Sequence, residues 1–177
     1  VHASPAEIPH AGFVRVGVEC EIVARLATPL VPRPVDYTRY DVEKAVGALM
    51  AGMEIVDARY VDYSKLDMPT LLADDFFDAG CVLGPAVHDF RAVDLESVVG
   101  VTTINGVEVG RGRGADVMGH PFEALAWLAN RRSQRGLGID AGEFVFLGSV
   151  VETKWVAAGD HVVMELEGLG RIEARFT

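Results

Sequence analysis

A chain of 177 residues, half of them hydrophobic and about a quarter charged, has the composition of a folded globular protein and the length to bury a sizeable core, which excludes a disordered segment. With 26 acidic against 16 basic residues the formal charge is −10, which argues against a general binder of nucleic-acid backbones. No apolar run approaches the ~18 residues of a membrane span and the first residues lack the regions of a signal peptide, so a cytoplasmic protein without membrane or nucleic-acid partners is expected.

The chain opens at Val1 without a methionine, as a processed or truncated product would. Residues 1 to 12, with Pro5, Pro9 and Gly12, read as an irregular lead-in. Phe13 to Leu26 then reads as an apolar strand that carries two acids, Glu19 and Glu21. Successive strand side chains point to opposite faces, so these two emerge together and Cys20 faces the other way. Two acids on one apolar face are costly to bury unless a cation neutralises them, whereas a solvated strand face explains the pair if it stands alone.

Three prolines make residues 29 to 34 a loop. Asp41 as N-cap, followed by Val42, Ala45, Val46, Leu49, Met50 and Met53, predicts an amphipathic helix of about three turns. Met53 to Val61 reads as a second strand, with Glu54 isolated near its start, and Pro69 to Ala79 as a short helix closed by Gly80. Cys81-Val82-Leu83 is a short apolar run, and Cys20 and Cys81 both read as buried free thiols.

Asn105-Gly106 between two alternating runs predicts a hairpin over Ser97 to Val109. Gly110 to Gly114 lacks the dinucleotide spacing, because Val117 stands where a third glycine is needed, and reads as a mobile loop beside a site. Pro121 opens a helix to about Arg135, capped by His120, with Phe122, Leu125, Ala126, Leu128 and Ala129 on its core side. Arg131, Arg132 and Arg135 suit the negative end of that helix and Gly136 ends it. Phe144 to Leu147, His161 to Glu167 and Arg171 to Phe176 read as strands. No repeat or linker divides the chain, so residues 1–177 are expected to form a single domain of α+β class, a β-rich mixed or antiparallel sheet folded on itself with two main helices.

Five blocks carry a resemblance. Gly17 to Ile22 (GVECEI), Met53 to Arg59 (MEIVDAR), Gly110 to Pro121 (GRGRGADVMGHP), Trp127-Leu128-Ala129-Asn130, and Ala141-Gly142-Glu143 leading to Leu147-Gly148-Ser149 resemble the fumarylacetoacetate hydrolase superfamily in order and spacing. Across essentially the whole chain they are most similar to its 2-keto-4-pentenoate hydratase and 4-oxalocrotonate decarboxylase branch. The resemblance implies a rolled, mostly β fold, assembly into homo-oligomers, and Mg²⁺ or Mn²⁺ held by three carboxylates, here Glu19, Glu21 and Glu54. It also marks a departure: the family's N-terminal third, with a lysine commonly assigned as an acid/base group, has no counterpart before Val1, so a chain of this extent could keep the metal and lose catalytic competence.

Three carboxylates on an octahedral hard cation leave about three positions open, two of which a small 2-oxo or 2-hydroxydienoic acid can fill. The resemblance therefore implies a hydratase of 2-hydroxy-2,4-dienoates acting through an enolate, or a decarboxylase using the same electron sink; the triad serves both. Asp74 and Asp75 resemble a family stretch near the pocket, Asp75 replacing a frequent asparagine, and are a candidate substrate-binding and a candidate catalytic residue, or else helix-surface acids. Gly148 and Ser149 match a glycine-hydroxyl turn that would hold the substrate carboxylate. His120 is a candidate proton shuttle or simply the helix cap, and Lys65 and Lys154 are candidate anion partners or solvated. An acylpyruvate carbon–carbon hydrolase would put aspartate at the position of Glu54. A non-catalytic subunit is the alternative of another class, and zinc is disfavoured because no His or Cys pair has ligand spacing.

Overall fold

The computed structural model describes residues 1–177. In chain order the regular elements are β1 (His2–Ala3), β2 (Ala6–Ile8), β3 (Val16–Leu26), α1 (Arg39–Ala45), β4 (Val46–Asp57), α2 (Met68–Ala73), β5 (Asp78–Leu83), β6 (Val99–Ile104), β7 (Val107–Arg113), α3 (Pro121–Ser133), β8 (Phe144–Trp155), β9 (His161–Leu166) and β10 (Gly170–Phe176). Five strands form a sheet in the order β1-β5-β4-β3-β8, and five form a second in the order β2-β10-β9-β6-β7. Their inner faces share one core, in which Ile22, Leu49, Met53, Met164 and Ile172 are fully buried.

β3 and β4 are the longest antiparallel pair, with Val16 opposite Asp57 and Leu26 opposite Val46. Both are buried along nearly their whole length, which is why they read as continuous apolar runs and not as alternating ones. That burial also explains an error of the expected helix. The spacing from Val42 to Met53 suits a helix, but α1 stops at Ala45 and the chain enters β4 at Val46. A run that is apolar at almost every position satisfies the helical period without being helical. The N-cap is Thr38, and Asp41 is the third residue of a capping box, its Oδ2 accepting from the Thr38 N–H.

Two other expectations fail. Residues 1 to 12 are not irregular: β1 pairs in parallel with β5 and β2 pairs in parallel with β10, so this short segment laces one edge of each sheet. Gly110 to Gly114 is not a loop, because Gly110 and Gly112 lie within β7. There they let β7 approach β8, the outer strand of the other sheet: a Cβ at Gly112 would overlap the Val150 carbonyl oxygen, and one at Gly110 would meet Val151. The sandwich is thus joined along one border by the lead-in and along the other by glycine.

The hairpin forms as expected, with Asn105 and Gly106 both at positive φ, 53° and 80°. His120 caps α3, its Nδ1 accepting from the Phe122 N–H at 3.0 Å, and Phe122, Leu125, Ala126 and Ala129 are buried where α3 packs on α1 and β8. The expected helix over 69 to 79 is shorter: α2 ends at Ala73, and Asp75, Phe76 and Phe77 follow with φ of 53°, 49° and 71°. Gly80 lies within β5 and caps nothing. Three consecutive non-glycine residues in the left-handed region are costly, and they stand over the carboxylates described next.

Candidate metal centre

The β3–β4 register places Glu19 directly opposite Glu54, and Glu21 follows two residues on, on the same face. One carboxylate oxygen from each of the three lies within 4.8 Å of the others. Glu21 is only 3% exposed and the other two are half-buried. Like charges opposite each other on a ladder repel, and burial forbids water from compensating. An all-oxygen donor set of this charge fits a hard divalent cation such as Mg²⁺ or Mn²⁺, and no histidine or thiol joins it.

β8 supplies the groups that hold the carboxylates. The Gly148 N–H donates to Glu21 Oε2 at 2.8 Å, and the Ser149 hydroxyl bridges Glu19 Oε2 and Glu21 Oε1. The Thr153 hydroxyl donates to Glu19 Oε1. Gly148 and Ser149 therefore hold the carboxylates of Glu19 and Glu21. Thr153 was missed because the strand beginning at Phe144 reads as ending at Leu147; extended to Trp155 it puts Ser149 and Thr153 opposite β3.

Burial raises the Glu21 carboxyl to about 7, opposed by the Gly148 hydrogen bond and reinforced by the charge of Glu19. Burial raises Glu54 to about 8, with the charges of Glu21 and Glu19 adding to it. The folded, metal-free protein therefore binds more protons than the unfolded chain above the ordinary glutamate range. A raised carboxyl contributes stability that is fully present below that range and is lost as pH rises through the folded values. In chelator, the thermal midpoint should fall from about pH 5 to about pH 8, and Mg²⁺ or Mn²⁺ should reverse much of the fall. A metal-free midpoint that rises over this interval would show that the carboxylates do not store protons.

Two cavities meet at the triad. The larger, about 790 Å³, is lined by Glu21, Glu54, Asp75, Asp78, Phe144 and Phe146 among others. The smaller, about 260 Å³, is lined by Glu19, Glu54, Tyr63, Phe77, Thr153 and Trp155 among others. Glu54 and Phe76 belong to both walls, so the left-handed segment 75–77 holds a phenyl ring at the boundary. The aromatic side is built by edge contacts of Tyr63 with Phe77 and tilted contact with Trp155, both at 6.0 Å. Gly52, opposite Glu21, leaves room for Phe146: a Cβ there would lie 2.7 Å from its ring.

The remaining candidates separate. Asp75 stands on the wall of the larger cavity. Asp74 does not: its carboxylate pairs with Arg59 at 3.0 Å, which ties the end of α2 to the residues after β4. His120 lines a different cavity with Glu43, Phe90 and Phe122, and burial with the nearby Arg39 holds its imidazole below the usual range. It caps α3 and lines neither cavity at the triad. Lys65 pairs with Asp62 at 2.7 Å and Lys154 with Glu152 at 2.9 Å, and neither lines either cavity. Both cysteines are buried free thiols, and burial raises Cys20 to about 12.

A family model described as fumarylacetoacetate (FAA) hydrolase C-terminal matches residues 1–177. The chain is 34% identical over 159 residues to a 4-oxalocrotonate decarboxylase of Pseudomonas putida, covering 90% of this chain and 59% of that protein. It is 35% identical over 167 residues to a 2-hydroxyhexa-2,4-dienoate hydratase of Comamonas testosteroni, covering 94% and 62%. A structure of 4-oxalocrotonate decarboxylase from Pseudomonas putida G7 complexed with magnesium and adipate superposes with a TM-score of 0.91 at 29% identity, over 99% of this chain and 66% of that one. The chain thus spans about three-fifths of the length of the curated relatives it matches.

Proposed function

The chain belongs to the fumarylacetoacetate hydrolase family, whose C-terminal model spans all 177 residues, and on that premise we propose that it is the divalent-metal unit of a lyase acting on a small 2-oxo or 2-hydroxydienoic acid. The reading favoured is hydration of a 2-hydroxy-2,4-dienoate in aromatic catabolism. The observation that carries it is the meeting of Glu19, Glu21 and Glu54, the last two of which line a cavity large enough for such an acid. Decarboxylation of a 4-oxalocrotonate-type acid is the second reading, supported by the 34% identical decarboxylase and by the TM-score of 0.91. Magnesium or manganese is the proposed cofactor, in keeping with the magnesium named for that structure and the all-oxygen donor set.

When bound, the cation supplies Lewis acidity to the ketone of a 2-oxo acid. The chain's own residues do the rest that is proposed here. Ser149, Thr153 and the Gly148 N–H orient the carboxylates of Glu19 and Glu21, so that the ligands need no rearrangement on loading. Phe144 and Phe146 keep water from one side of the cavity. Asp75, on the wall of the larger cavity, is the carboxylate proposed to move a proton at the carbon beside the ketone.

The protein with Mg²⁺ or Mn²⁺ should consume 2-hydroxypenta-2,4-dienoate, followed by its ultraviolet absorbance, and chelation should abolish the turnover. Release of CO₂ from 4-oxalocrotonate, measured in parallel, would favour the second reading. Turnover that is indifferent to chelation would remove the metal from the mechanism.

A further inference from the structure

β8 is irregular where it passes the triad. Its pairing with β3 slips between Val18 and Cys20, again between Cys20 and Glu21, and again between Glu21 and Val23. In a regular strand residues 149, 151 and 153 would share one face. Here Ser149 and Thr153 reach the carboxylates, whereas Val150 and Val151 both turn to the other sheet, Val150 against Gly100 and Val151 against Gly110. Bulges re-aim side chains, and these aim two hydroxyls at two of the glutamates. All four oxygens of Glu19 and Glu21 thereby meet a group of β8. Glu19 Oε1 meets the Thr153 hydroxyl, the Ser149 hydroxyl stands between Glu19 Oε2 and Glu21 Oε1, and the Gly148 N–H donates to Glu21 Oε2. Glu54, on the strand beyond β3, accepts from none of these groups.

Resting on the metal reading above, we propose that Thr153 and Ser149 are positioning residues that set the size of ion the triad accepts, holding it to a small octahedral cation and against Ca²⁺. Mg²⁺ demands near-ideal octahedral geometry at about 2.0–2.1 Å and keeps several of its waters, whereas Ca²⁺ takes about six to eight oxygens at about 2.3–2.6 Å and often draws both oxygens of a carboxylate to reach that number. A carboxylate changes how it presents its two oxygens by turning. Turning Glu19 would pull it off Thr153 or off Ser149, leaving a half-buried hydroxyl without its partner, and Glu21 is held in the same way between Ser149 and Gly148. The backbone gives no relief, because both glutamates stand on β3 between two paired strands. Fixed carboxylates suit the ion that brings its own waters and deny the larger ion the oxygens it would recruit.

The test titrates Mg²⁺ and Ca²⁺ calorimetrically into the metal-free protein and its variants and compares the ratio of the two affinities. Thr153→Val keeps the shape of the side chain and removes its hydroxyl, and it should lower the Mg²⁺-to-Ca²⁺ ratio about tenfold. Thr153→Ser, which keeps the hydroxyl, should restore the ratio. Ser149→Ala, which frees one oxygen of each carboxylate, should lower it at least as far. A fold that is merely looser weakens both ions alike and leaves the ratio where it was. An unchanged ratio in Thr153→Val or in Ser149→Ala, or a ratio that Thr153→Ser fails to restore, overturns the inference and leaves the metal reading standing. Absence of binding of either ion by the unmodified protein overturns the metal reading and the inference with it.

Discussion

Glu54→Gln is expected to lower affinity for Mg²⁺ or Mn²⁺ by more than about a hundredfold while raising the thermal midpoint of the metal-free protein. Groups that merely orient metal ligands are worth about 10- to 100-fold in affinity, so loss of one of three anionic ligands should exceed that range. The opposite sign without metal follows from the same geometry. Glu54 faces Glu19 on the ladder and has a carboxylate oxygen within 4.8 Å of those of Glu19 and Glu21, so an amide removes a repelled charge and offers a donor to its neighbours. The gain in midpoint should be larger at about pH 8 than at about pH 5, where Glu54 is already protonated. Calorimetric titration with metal and thermal melts in chelator measure the two effects. A variant that binds metal as the wild type does, or that is less stable without it, would show that Glu54 is no ligand.

Gly112→Ala should be among the most destabilising single substitutions in the chain, at about 3 kcal/mol or more. The added carbon would overlap the backbone carbonyl of Val150, and no side-chain rotation relieves a clash with backbone. For a protein of this size that loss corresponds to a fall of roughly 6–12 °C in midpoint. The displaced strand is β8, and Val150 follows Ser149, so the grip on Glu19 and Glu21 should loosen as well and metal affinity should drop in the protein that still folds. Gly12→Ala is the control, since nothing lies within 4 Å of its added carbon and its φ is ordinary; it should change the midpoint by no more than about 1–2 °C. Equal midpoints for the two variants would mean that β7 does not depend on close approach to β8.

Much of this arrangement was legible in the residues. Two acids one residue apart marked a place for a cation, the family resemblance added Glu54, and the strand register does bring the three together; Asn105-Gly106 marked its hairpin. What escaped had specific causes. The passage from α1 into β4 was hidden because a strand buried on both faces has no period to distinguish it from a helix. The role of Gly110 and Gly112 was hidden because closeness to another strand is a property of the packed pair and leaves no local signature. Thr153 and Asp78 were overlooked for the same kind of reason: their neighbours are set by register and by the turn at 75–77. Sequence distance says nothing of either.

The position of the triad on the sheet has a thermodynamic corollary. Glu19 and Glu54 hang from β3 and β4, the most deeply buried pair of strands, and not from a surface loop that could open by itself. An ion held by them would tie together the most deeply buried part of the sheet. Its binding energy is therefore linked to global unfolding, and each tenfold excess of free metal over its dissociation constant would add about 1.4 kcal/mol to the stability of the whole fold. Occupancy and foldedness would become one equilibrium, so the concentration of free divalent ion would set how much of the protein stays folded.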